Sequence, residues 1–438
     1  MSEWRKYKLS DLITIKHGFA FKGEFITDEE TPNLLLTPGN FAIGGGFQFK
    51  KMKFYSGEIP KDYILSEGDL IVTMTDLSKE ADTLGYSAVV PGSDHVMLHN
   101  QRLGKVALKS SDTTLDFVHW LMRTSEYRHE ILSNYSGSTV KHTSPSKILA
   151  FEFRLPPLSE QREIASILGS LDDKIELNRK MATTLEAMAR ALYRSWFVDF
   201  DPVHARSQGL PPAHMDEATA ALFPDRFGED GLPEGWKIAP LSAMCDHVKK
   251  TVKPMESPDN AFLHFSLPAF DAGKMPAVEP GAAIKSNKTF VPHNAILFSR
   301  LNPTIPRVWW ARTKVLDATP ASSTEFFIAK AHDPSETAWL YCALSSEDFR
   351  EAACSRVTGT SNSHQRIPPK ALAEIEVIAP SLDVVSAFGE LTGPWFEKIH
   401  TMATENQILA ALRDTLLPKL MSGELRVGEA RDQIEEVA

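Results

Sequence analysis

The stretch SEQREIASILGSLDDKIELN, residues 159–178, decides the architecture of this chain. Apolar residues recur at helical spacing from this stretch onward to Trp196. The pattern predicts a single helix of about 40 residues, roughly 60 Å long at 1.5 Å per residue. Few helices in globular domains are so long. We therefore predict a rod in the middle of the chain, with a partner elsewhere in the sequence.

Apolar positions in this helix fall seven residues apart, which is typical of the seam of a coiled coil. A second series with the same spacing lies near the C-terminus. The predicted seam consists of Ile164, Leu171, Ile175, Asn178, Leu185 and Leu192 in the first helix and Phe388, Trp395, Ile399, Met402, Leu409 and Leu416 in the second. We predict antiparallel pairing, with Asn178 either setting the register or facing solvent. The alternative is that each helix packs only on its own domain.

The remainder of the chain also contains an internal repeat, with matching residues about 225 positions apart. The matching pairs are WRKYKLS (4–10) with WKIAPLS (236–242), SEGDLIVTMT (66–75) with PHNAILFSRL (292–301), FVHWLMRTSEYR (117–128) with WLYCALSSEDFR (339–350), SGSTVKHTSPSKI (136–148) with TGTSNSHQRIPPKAL (358–372), and FEFRLPPL (151–158) with IEVIAPSL (375–382). The predicted fold class is α+β. Two globular α/β modules form a tandem pseudo-two-fold repeat, joined by two long antiparallel coiled-coil helices.

The domain boundaries follow from this repeat. They are module 1 (1–157), the first long helix (158–200), a Pro- and Gly-rich linker (201–235), module 2 (236–380), the second long helix (381–425) and a polar tail (426–438). Pro394 is expected to break or kink the second helix near its start. The tail is expected to fray.

Composition restricts the compartment and the partners. The net charge is −10, but module 1 has 18 basic against 19 acidic residues and module 2 has 16 against 14. Two near-neutral modules leave a nucleic-acid partner open. The three cysteines form no CxxC, no apolar run is long enough to span a membrane, and the N-terminus lacks the apolar region of a signal peptide. We expect a cytoplasmic protein without a membrane partner.

The sequence lacks the motifs of common catalytic sites. It has no P-loop, no HExxH and no GxSxG. The strings LNPTIP (301–306) and FDPVH (200–204) do not complete the Asn/Asp-Pro-Pro-aromatic motif of a methyltransferase. His95 and His99 are four residues apart, but their surroundings predict a strand rather than a metal-binding helix. We expect no catalysis, no bound cofactor and no metal.

Polar and basic loops are the candidate DNA-binding elements. FQFKKMKFYSG (47–57) interleaves lysines with aromatic residues, although an edge strand with solvated lysines fits equally well. The repeated loop SGSTVKHTS (136–144) and TGTSNSHQR (358–366) offers hydroxyls for phosphates and Asn, Gln and Arg for base edges, although a plain turn has similar composition. In SRLNPTIPRVWWAR (299–312) the arginines are candidates and the tryptophans are assigned to the core. The candidates are Lys50, Lys51, Lys53, Thr75, Lys79, Arg102, Ser138, Thr139, Lys141 and His142 in module 1 and Arg300, Asn302, Arg307, Ser361, Asn362, His364, Gln365 and Arg366 in module 2.

Two strings carry a family resemblance. The first is LPPLSEQREIASILGSLDDKIELNRKMATTLEAMARALYRSWFVDF (155–200), and the second is LLPKLMSGELRV (416–427). They resemble the conserved helical regions of the specificity subunits of Type I restriction–modification systems. The duplicated organisation fits that family over residues 1–425.

The resemblance implies a function for every part of the chain. Each module would be a target recognition domain for one half of a split double-stranded DNA sequence, and the coiled coil would fix the gap between the halves. Two methylation subunits that carry S-adenosylmethionine would dock on this chain, as would two restriction subunits that use ATP and Mg²⁺. This chain itself would bind no cofactor. The alternative function is a scaffold whose modules bind protein and read no DNA.

Overall fold

The computed structural model describes residues 4–313, 317–358 and 365–436. Its contacts divide the chain into two compact units. The first unit comprises Met1–Leu177 with Glu405–Ala438, and the second comprises Asn178–Thr404.

The described residues of the first unit form thirteen strands and four short helices before the first long helix. Its strands are β1 (Arg5–Lys8), β2 (Ile13–His17), β3 (Ile26–Thr27), β4 (Asn33–Leu35), β5 (Phe54–Tyr55), β6 (Ile64–Leu65), β7 (Leu70–Thr73), β8 (Thr75–Asp76), β9 (Ser87–Val89), β10 (Val96–Leu98), β11 (Leu103–Leu108), β12 (Lys141–His142) and β13 (Glu152–Leu155). Its helices are α1 (Leu9–Leu12), α2 (Leu115–Leu121), α3 (Ser125–Asn134) and α4 (Pro145–Leu149), followed by the long helix α5 (Leu158–Phe197).

The elements after α5 begin with α6 (Asp201–Ser207) and α7 (Glu217–Ala221) in the linker. The strands are β14 (Lys237–Pro240), β15 (Cys245–His247), β16 (Thr251–Val252), β17 (Ala261–Phe265), β18 (Ala277–Pro280), β19 (Lys288–Phe290), β20 (Ala295–Ser299), β21 (Val308–Ala311), β22 (Thr319–Ser322), β23 (Phe326–Ala331) and β24 (Glu376–Ala379). The helices are α8 (Leu267–Asp271), α9 (Thr337–Ser345), α10 (Glu347–Cys354), α11 (Pro369–Ala373), the long helix α12 (Leu382–Ser422) and α13 (Val427–Glu435).

The four-stranded sheets of the two modules have the same topology, whereas their five-stranded sheets differ in which edge the first strand occupies. A four-stranded sheet has the order β2-β11-β7-β9 in the first and β15-β23-β20-β21 in the second. A five-stranded sheet has the order β3-β5-β4-β10-β6 in the first and β16-β19-β22-β17-β18 in the second. The first and last strands of each module pair antiparallel, β1 with β13 and β14 with β24. The predicted α+β class and tandem repeat are confirmed.

Matching buried strands explain why the repeat can be recognised in the sequence. In β7, Leu70 and Val72 pack into the core formed with the helices, whereas Ile71 packs into the core between the sheets. In β20, Ile296 and Leu297 divide in the same way. A strand covered on both faces requires a continuous apolar run, which both copies have.

The two long helices pair antiparallel within each unit. In the first unit Lys174 Nζ lies 3.4 Å from a carboxylate oxygen of Glu405. In the second unit the rings of Tyr193 and Trp196 lie 6.3 and 5.8 Å from the ring of Phe388. Asn178 is 3 % exposed, so the alternative in which it faces solvent is wrong.

The predicted seam positions differ in burial. Ile164, Leu171, Ile175, Asn178, Phe388, Met402, Leu409 and Leu416 are buried, whereas Leu185, Leu192, Trp395 and Ile399 are half-buried. Three of the half-buried residues, Leu192, Trp395 and Ile399, pack against the core of module 2. The seam therefore merges with the module, and the helix pair is not isolated from it.

Pro394 does not break α12, which runs from Leu382 to Ser422 through this residue. The expectation of a break was wrong. A proline inside a helix leaves the carbonyl four residues earlier without its amide donor. Here both Pro394 and Glu390 are exposed, so water can satisfy that carbonyl.

The C-terminal tail also differs from expectation. Val427–Glu435 forms helix α13 instead of a frayed end, and its Ala430 is fully buried. Val427 and Ile434 pack against the core of the first unit. These apolar residues share one helical face, which supplies the burial that a purely polar tail would lack. No helix in the described ranges is long and apolar enough to cross a membrane.

Candidate nucleic-acid interface

Each module carries a hairpin whose base is held by the same pair of backbone hydrogen bonds. In the first, the amides and carbonyls of Ser136 and His142 exchange bonds of 2.9 and 2.8 Å. In the second, Thr358 and Arg366 exchange bonds of 2.8 and 3.1 Å. His142 and Arg366 therefore occupy matching positions. These hairpins are the loops that the sequence repeat selected, and they carry different side chains at this position.

Both hairpins lie against the end of the four-stranded sheet. In module 1, β12 pairs antiparallel with β8, so that Lys141 faces Asp76 and His142 faces Thr75. In module 2, Arg366 forms an isolated bridge with Leu301, just beyond the end of β20. The structure thus brings the hairpin residues together with the residues that follow the buried strand.

Thr75 orients the ring of His142. Its Oγ1 lies 3.1 Å from Nδ1 of His142, and Thr75 is buried whereas His142 is exposed. A buried hydroxyl cannot reach a phosphate in this conformation. Thr75 is placed to hold the imidazole, which leaves Nε2 as the second polar atom of the ring.

Lys141 and Asp76 hold the loop that follows β8. Lys141 is 6 % exposed, and its Nζ donates a 2.5 Å hydrogen bond to the carbonyl of Ser78. Asp76 accepts bonds from the amides of Ser78 and Thr83, at 2.5 and 2.6 Å, and from the Thr83 hydroxyl at 2.6 Å. Burial raises the pKa of Asp76, but these bonds outweigh burial and hold the pKa below its usual value. Lys141 therefore serves the loop geometry.

Four other candidates of module 1 are exposed near this hairpin. The carbonyl of Arg102 accepts a 2.9 Å bond from the amide of Met74, which places Arg102 beside the start of β8. The Lys79 side chain is 95 % exposed on the loop held by Asp76. Ser138 and Thr139 lie exposed on the hairpin itself. Cationic and hydroxyl groups of this kind suit contacts to DNA phosphates.

Lys50, Lys51 and Lys53 lie in the loop before a strand of the five-stranded sheet. They precede β5, which sits between β3 and β4, so the edge-strand alternative is wrong. Lys53 forms an ion pair with Asp28, whereas Lys50 and Lys51 are exposed. The aromatic residues of β5 are buried and therefore belong to the core.

The arginines of module 2 differ in what they bind. Arg300 donates to the carbonyls of Thr324 and Ile367 at 2.6 and 3.3 Å and thus ties loops together. Arg307 donates from Nε and Nη2 to the carboxylate of Asp271 at 2.7 and 2.8 Å, and its side chain is only 12 % exposed. Neither guanidinium is presented openly to solvent.

Arg366 is the most exposed of these arginines. Its Nε lies 3.0 Å and its Nη2 2.9 Å from the two carboxylate oxygens of Glu325, while 48 % of its side chain remains exposed.

The remaining candidates of module 2 divide into two groups. Asn302 and Gln365 are half-buried and joined by a 2.9 Å backbone bond, and Ser361, Asn362 and His364 lie outside the described residues. Trp309 and Trp310 are buried, which confirms their assignment to the core.

An ion triad joins module 1 to both long helices, and it was not predicted from the sequence. The carboxylate of Asp172 accepts hydrogen bonds from Arg123 at 2.6 Å and from Arg413 at 2.5 Å. The Arg123 side chain is 3 % exposed. Burial raises the pKa of Asp172, but the two arginines outweigh burial and hold the pKa below its usual value.

Side chains and a glycine loop surround this triad. The Arg123 guanidinium lies 4.2 Å from the centre of the Trp120 ring, and its Nε donates to the carbonyl of Gly44 at 2.9 Å. A Cβ on Gly45 would lie 2.7 Å from Arg123 Cγ, and the φ angle of Gly45 is +93°. The segment 44–46 therefore needs glycine at Gly45 to let Arg123 pass.

The matching residues of the second unit carry no charge. By the sequence repeat, Arg123, Asp172 and Arg413 match Ser345, Phe396 and Ala189. The centre of the buried Phe396 ring lies 4.9 Å from that of Trp310 and 5.1 Å from that of Tyr341. The fold therefore accepts either an ion triad or an aromatic cluster here.

His119 beside the triad should make the stability of the first unit depend on pH. Burial and then the charge of Arg123 lower the pKa of His119 from 6.5 to about 3. Between these values the unfolded chain binds a proton that the folded chain lacks. The stability is fully present above pH 6.5 and is lost toward pH 3, at about 1.4 kcal/mol per pH unit.

Urea unfolding of the wild type and of His119→Asn, measured at intervals from pH 7 to pH 5, checks this expectation. The variant should lose the part of the pH slope that His119 contributes. His129→Asn, at an exposed position on α3, is the matched control and should keep the wild-type slope. Equal slopes in the wild type and His119→Asn would refute the assignment.

The described residues contain no cluster of three or more His, Cys, Asp or Glu side chains arranged to hold a metal ion. In the loops beside the hairpins, the carboxylates of Asp76 and Glu325 accept hydrogen bonds from protein groups. Sequence reasoning missed Asp76 and Glu325 as supports of these loops. The only local sign was the Asp-x-Ser turn pattern at Asp76, since Glu325 meets its arginine across 41 residues.

Comparison with known proteins is consistent with this organisation. Residues 1–187 match the family described as the Type I restriction modification DNA specificity domain. The specificity subunit of the Type I restriction enzyme HindI of Haemophilus influenzae is 24 % identical, with 97 % of this chain and 100 % of that protein covered. The specificity subunit of the MjaIX enzyme of Methanocaldococcus jannaschii is 23 % identical over 79 % of this chain and 76 % of that protein.

A solved structure shows the same fold. The S subunit of the Type I restriction–modification system from M. genitalium superposes with a TM-score of 0.56 at 16 % identity, covering 95 % of this chain and 96 % of that one. The sequence matches extend over both modules and both long helices. The chain is therefore similar, over nearly its whole length, to specificity subunits of Type I restriction enzymes, and residues 1–187 match the specificity-domain family.

Proposed function

We propose that this chain is a non-catalytic DNA specificity subunit whose two modules each read one half of a bipartite target. One observation carries the proposal. Two hairpins, each held at its ends by the same pair of backbone hydrogen bonds, lie on four-stranded sheets of the same topology, yet they present different side chains, His142 and Arg366. Two readers of two different half-sites need different side chains at such matching positions.

The groups near each hairpin suit the two kinds of DNA contact. In module 1, Arg102 and Lys79 are exposed cations for phosphates, and the hydroxyls of Ser138 and Thr139 add neutral donors. In module 2, Arg366 offers the planar donor set that pairs with guanine. Phosphate contacts would position each module, and the hairpin side chains would specify bases.

The catalytic groups of the complex would belong to other chains. We propose that two methylation subunits, which carry S-adenosylmethionine, dock on this subunit, and that two restriction subunits bring ATP and Mg²⁺. The paired helices α5 and α12 would set the gap between the half-sites. The site of action would be the cytoplasm, where the DNA is.

Salt dependence separates this function from that of a protein-binding scaffold. With the methylation partner present, affinity for duplex DNA should fall steeply with salt, about 10³-fold between 50 and 200 mM for some six phosphate contacts. Lys79→Gln should reduce the slope of log affinity against log salt by about one. Lys398→Gln, at an exposed position on α12, is the control and should leave the slope unchanged.

The measurement is filter or fluorescence binding at a series of salt concentrations, using duplexes selected from a random-sequence pool. A reader enriches a defined target from that pool. Absence of sequence enrichment, together with a flat salt response, would favour the scaffold.

A further inference from the structure

We propose that Glu325 positions Arg366 to read a guanine in the half-site of module 2, an inference that rests on the proposed function. The Arg366 guanidinium donates from Nε and Nη2 to the two carboxylate oxygens of Glu325, at 3.0 and 2.9 Å. This bidentate pair fixes both the position and the plane of the guanidinium. Glu325 therefore acts on the base through the arginine.

The backbone around Glu325 is itself held in place. Its carbonyl accepts a 2.8 Å bond from the amide of Arg300, and its amide donates to the hydroxyl of Ser323 at 3.3 Å. Arg300 also donates from Nη2 to the carbonyl of Thr324 at 2.6 Å. Because Glu325 immediately precedes β23, its carboxylate is carried at the start of an inner strand of the four-stranded sheet.

The N–H groups of Arg366 that do not bind Glu325 are the donors that recognition of a guanine requires. A guanidinium has five N–H groups, and the pair with Glu325 uses those on one edge, at Nε and Nη2. The edge formed by Nη1 and the second N–H of Nη2 points away from the carboxylate. Two parallel donors on this edge match the O6 and N7 acceptors that guanine presents in the major groove.

Pre-organisation strengthens this assignment. A free arginine loses side-chain conformational freedom when it binds a base, whereas Arg366 is already held in one orientation. It nevertheless remains 48 % exposed, so a base edge can reach it. The pair with the acid also neutralises Glu325, which would otherwise repel nearby phosphates.

Module 1 has different chemistry at the matching positions. Arg102 immediately precedes β11 as Glu325 precedes β23, and His142 matches Arg366 in its hairpin. There a hydroxyl, that of Thr75, orients the reading side chain at a distance of 3.1 Å. The guanine assignment therefore applies to the half-site of module 2 and not to that of module 1.

Binding of the full chain with its methylation partner to duplexes that differ at single base pairs tests the proposal. In the wild type, one guanine of the second half-site should be preferred over the other bases. Glu325→Gln should lower this preference about 5- to 10-fold, and Glu325→Asp should restore part of it. Arg366→Ala should abolish the preference at the same base pair. The double variant should behave like Arg366→Ala, since Glu325 acts only through the arginine.

Asp271→Asn is the matched control, because Asp271 forms the other bidentate pair with an arginine of this module, Arg307. This variant should leave the base preference unchanged. Uniformly weaker binding of Glu325→Gln to all duplexes, with the same base preference, would overturn the proposal. If the wild type itself prefers no bipartite sequence, the proposed function fails as well. A wild-type bipartite target without an Arg366-dependent guanine overturns only this inference.

Discussion

Replacing Asp172 with alanine should lower the free energy of unfolding of the first unit by about 3–5 kcal/mol, the cost of breaking a buried ion pair from one side. The change would leave Arg123 and Arg413 with their positive charges and without the carboxylate that both of them bind. Arg123 is almost completely buried, so water cannot replace the lost partner. Repulsion between the two arginines would add to the loss.

Native-state hydrogen exchange, followed by mass spectrometry, measures this effect in the intact chain. Peptides from α2 and α3 report the first unit, and peptides from α9 and α10 report the second. Protection should fall in the first set only. Asp173→Ala is the matched control, because Asp173 is the neighbouring aspartate on the same helix and is exposed. It should change stability by less than about 0.5 kcal/mol.

The second unit indicates how the stability lost in Asp172→Ala can be restored. Its matching residues Ser345, Phe396 and Ala189 carry no charge, and the ring of Phe396 packs against those of Trp310 and Tyr341. Replacing all three triad residues with apolar ones should therefore destabilise less than Asp172→Ala alone. Equal stability of Asp172→Ala and Asp173→Ala would show that the triad contributes little to the first unit.

Periodicity was sufficient to predict the long helices and the repeat. A heptad series such as Ile164, Leu171 and Asn178 is a local signal that the fold preserves, because the same residues must face the partner helix. The matching strands β7 and β20 could be predicted equally well from their continuous apolar runs. The family resemblance rested on these same helical strings, and the later comparisons confirmed it.

The features that sequence reasoning missed depend on contacts between distant residues. Asp172 meets Arg413 across 241 positions, and no spacing rule connects them. The tail (426–438) was predicted to be frayed because it is mostly polar. Its few apolar residues make their contacts with the core of the first unit, which the local sequence does not reveal. Pro394 was expected to break α12, but the exposed side of the helix tolerates the missing donor. Lys141 looked like a phosphate contact until its burial and its bond to Ser78 were seen.

Exchanging module 1 should replace one half of the recognised sequence and leave the other half unchanged. Strands β1 and β13 pair with each other, with Arg5 opposite Leu155, so residues 1–157 bring both strands of this pair and their own hairpin. Each wrong base pair costs about 1–3 kcal/mol, so a half-site of several base pairs should abolish recognition of the original target.

The ion triad sets a condition on the design of this exchange. The incoming module should keep an arginine at the position of Arg123 and the glycine loop that accommodates it, because Asp172 and Arg413 remain in the recipient. An exchanged module with serine at that position is the control for misfolding. It should lose stability without gaining a new target.

The most direct measurement is a genome-wide map of adenine methylation from cells that carry either the native chain or the exchanged chain with the same partner subunits. We predict bipartite methylated sites in both maps, with one half replaced after the exchange and with the other half and the gap unchanged. A change in both halves, or in neither, would contradict the division of one target between two modules.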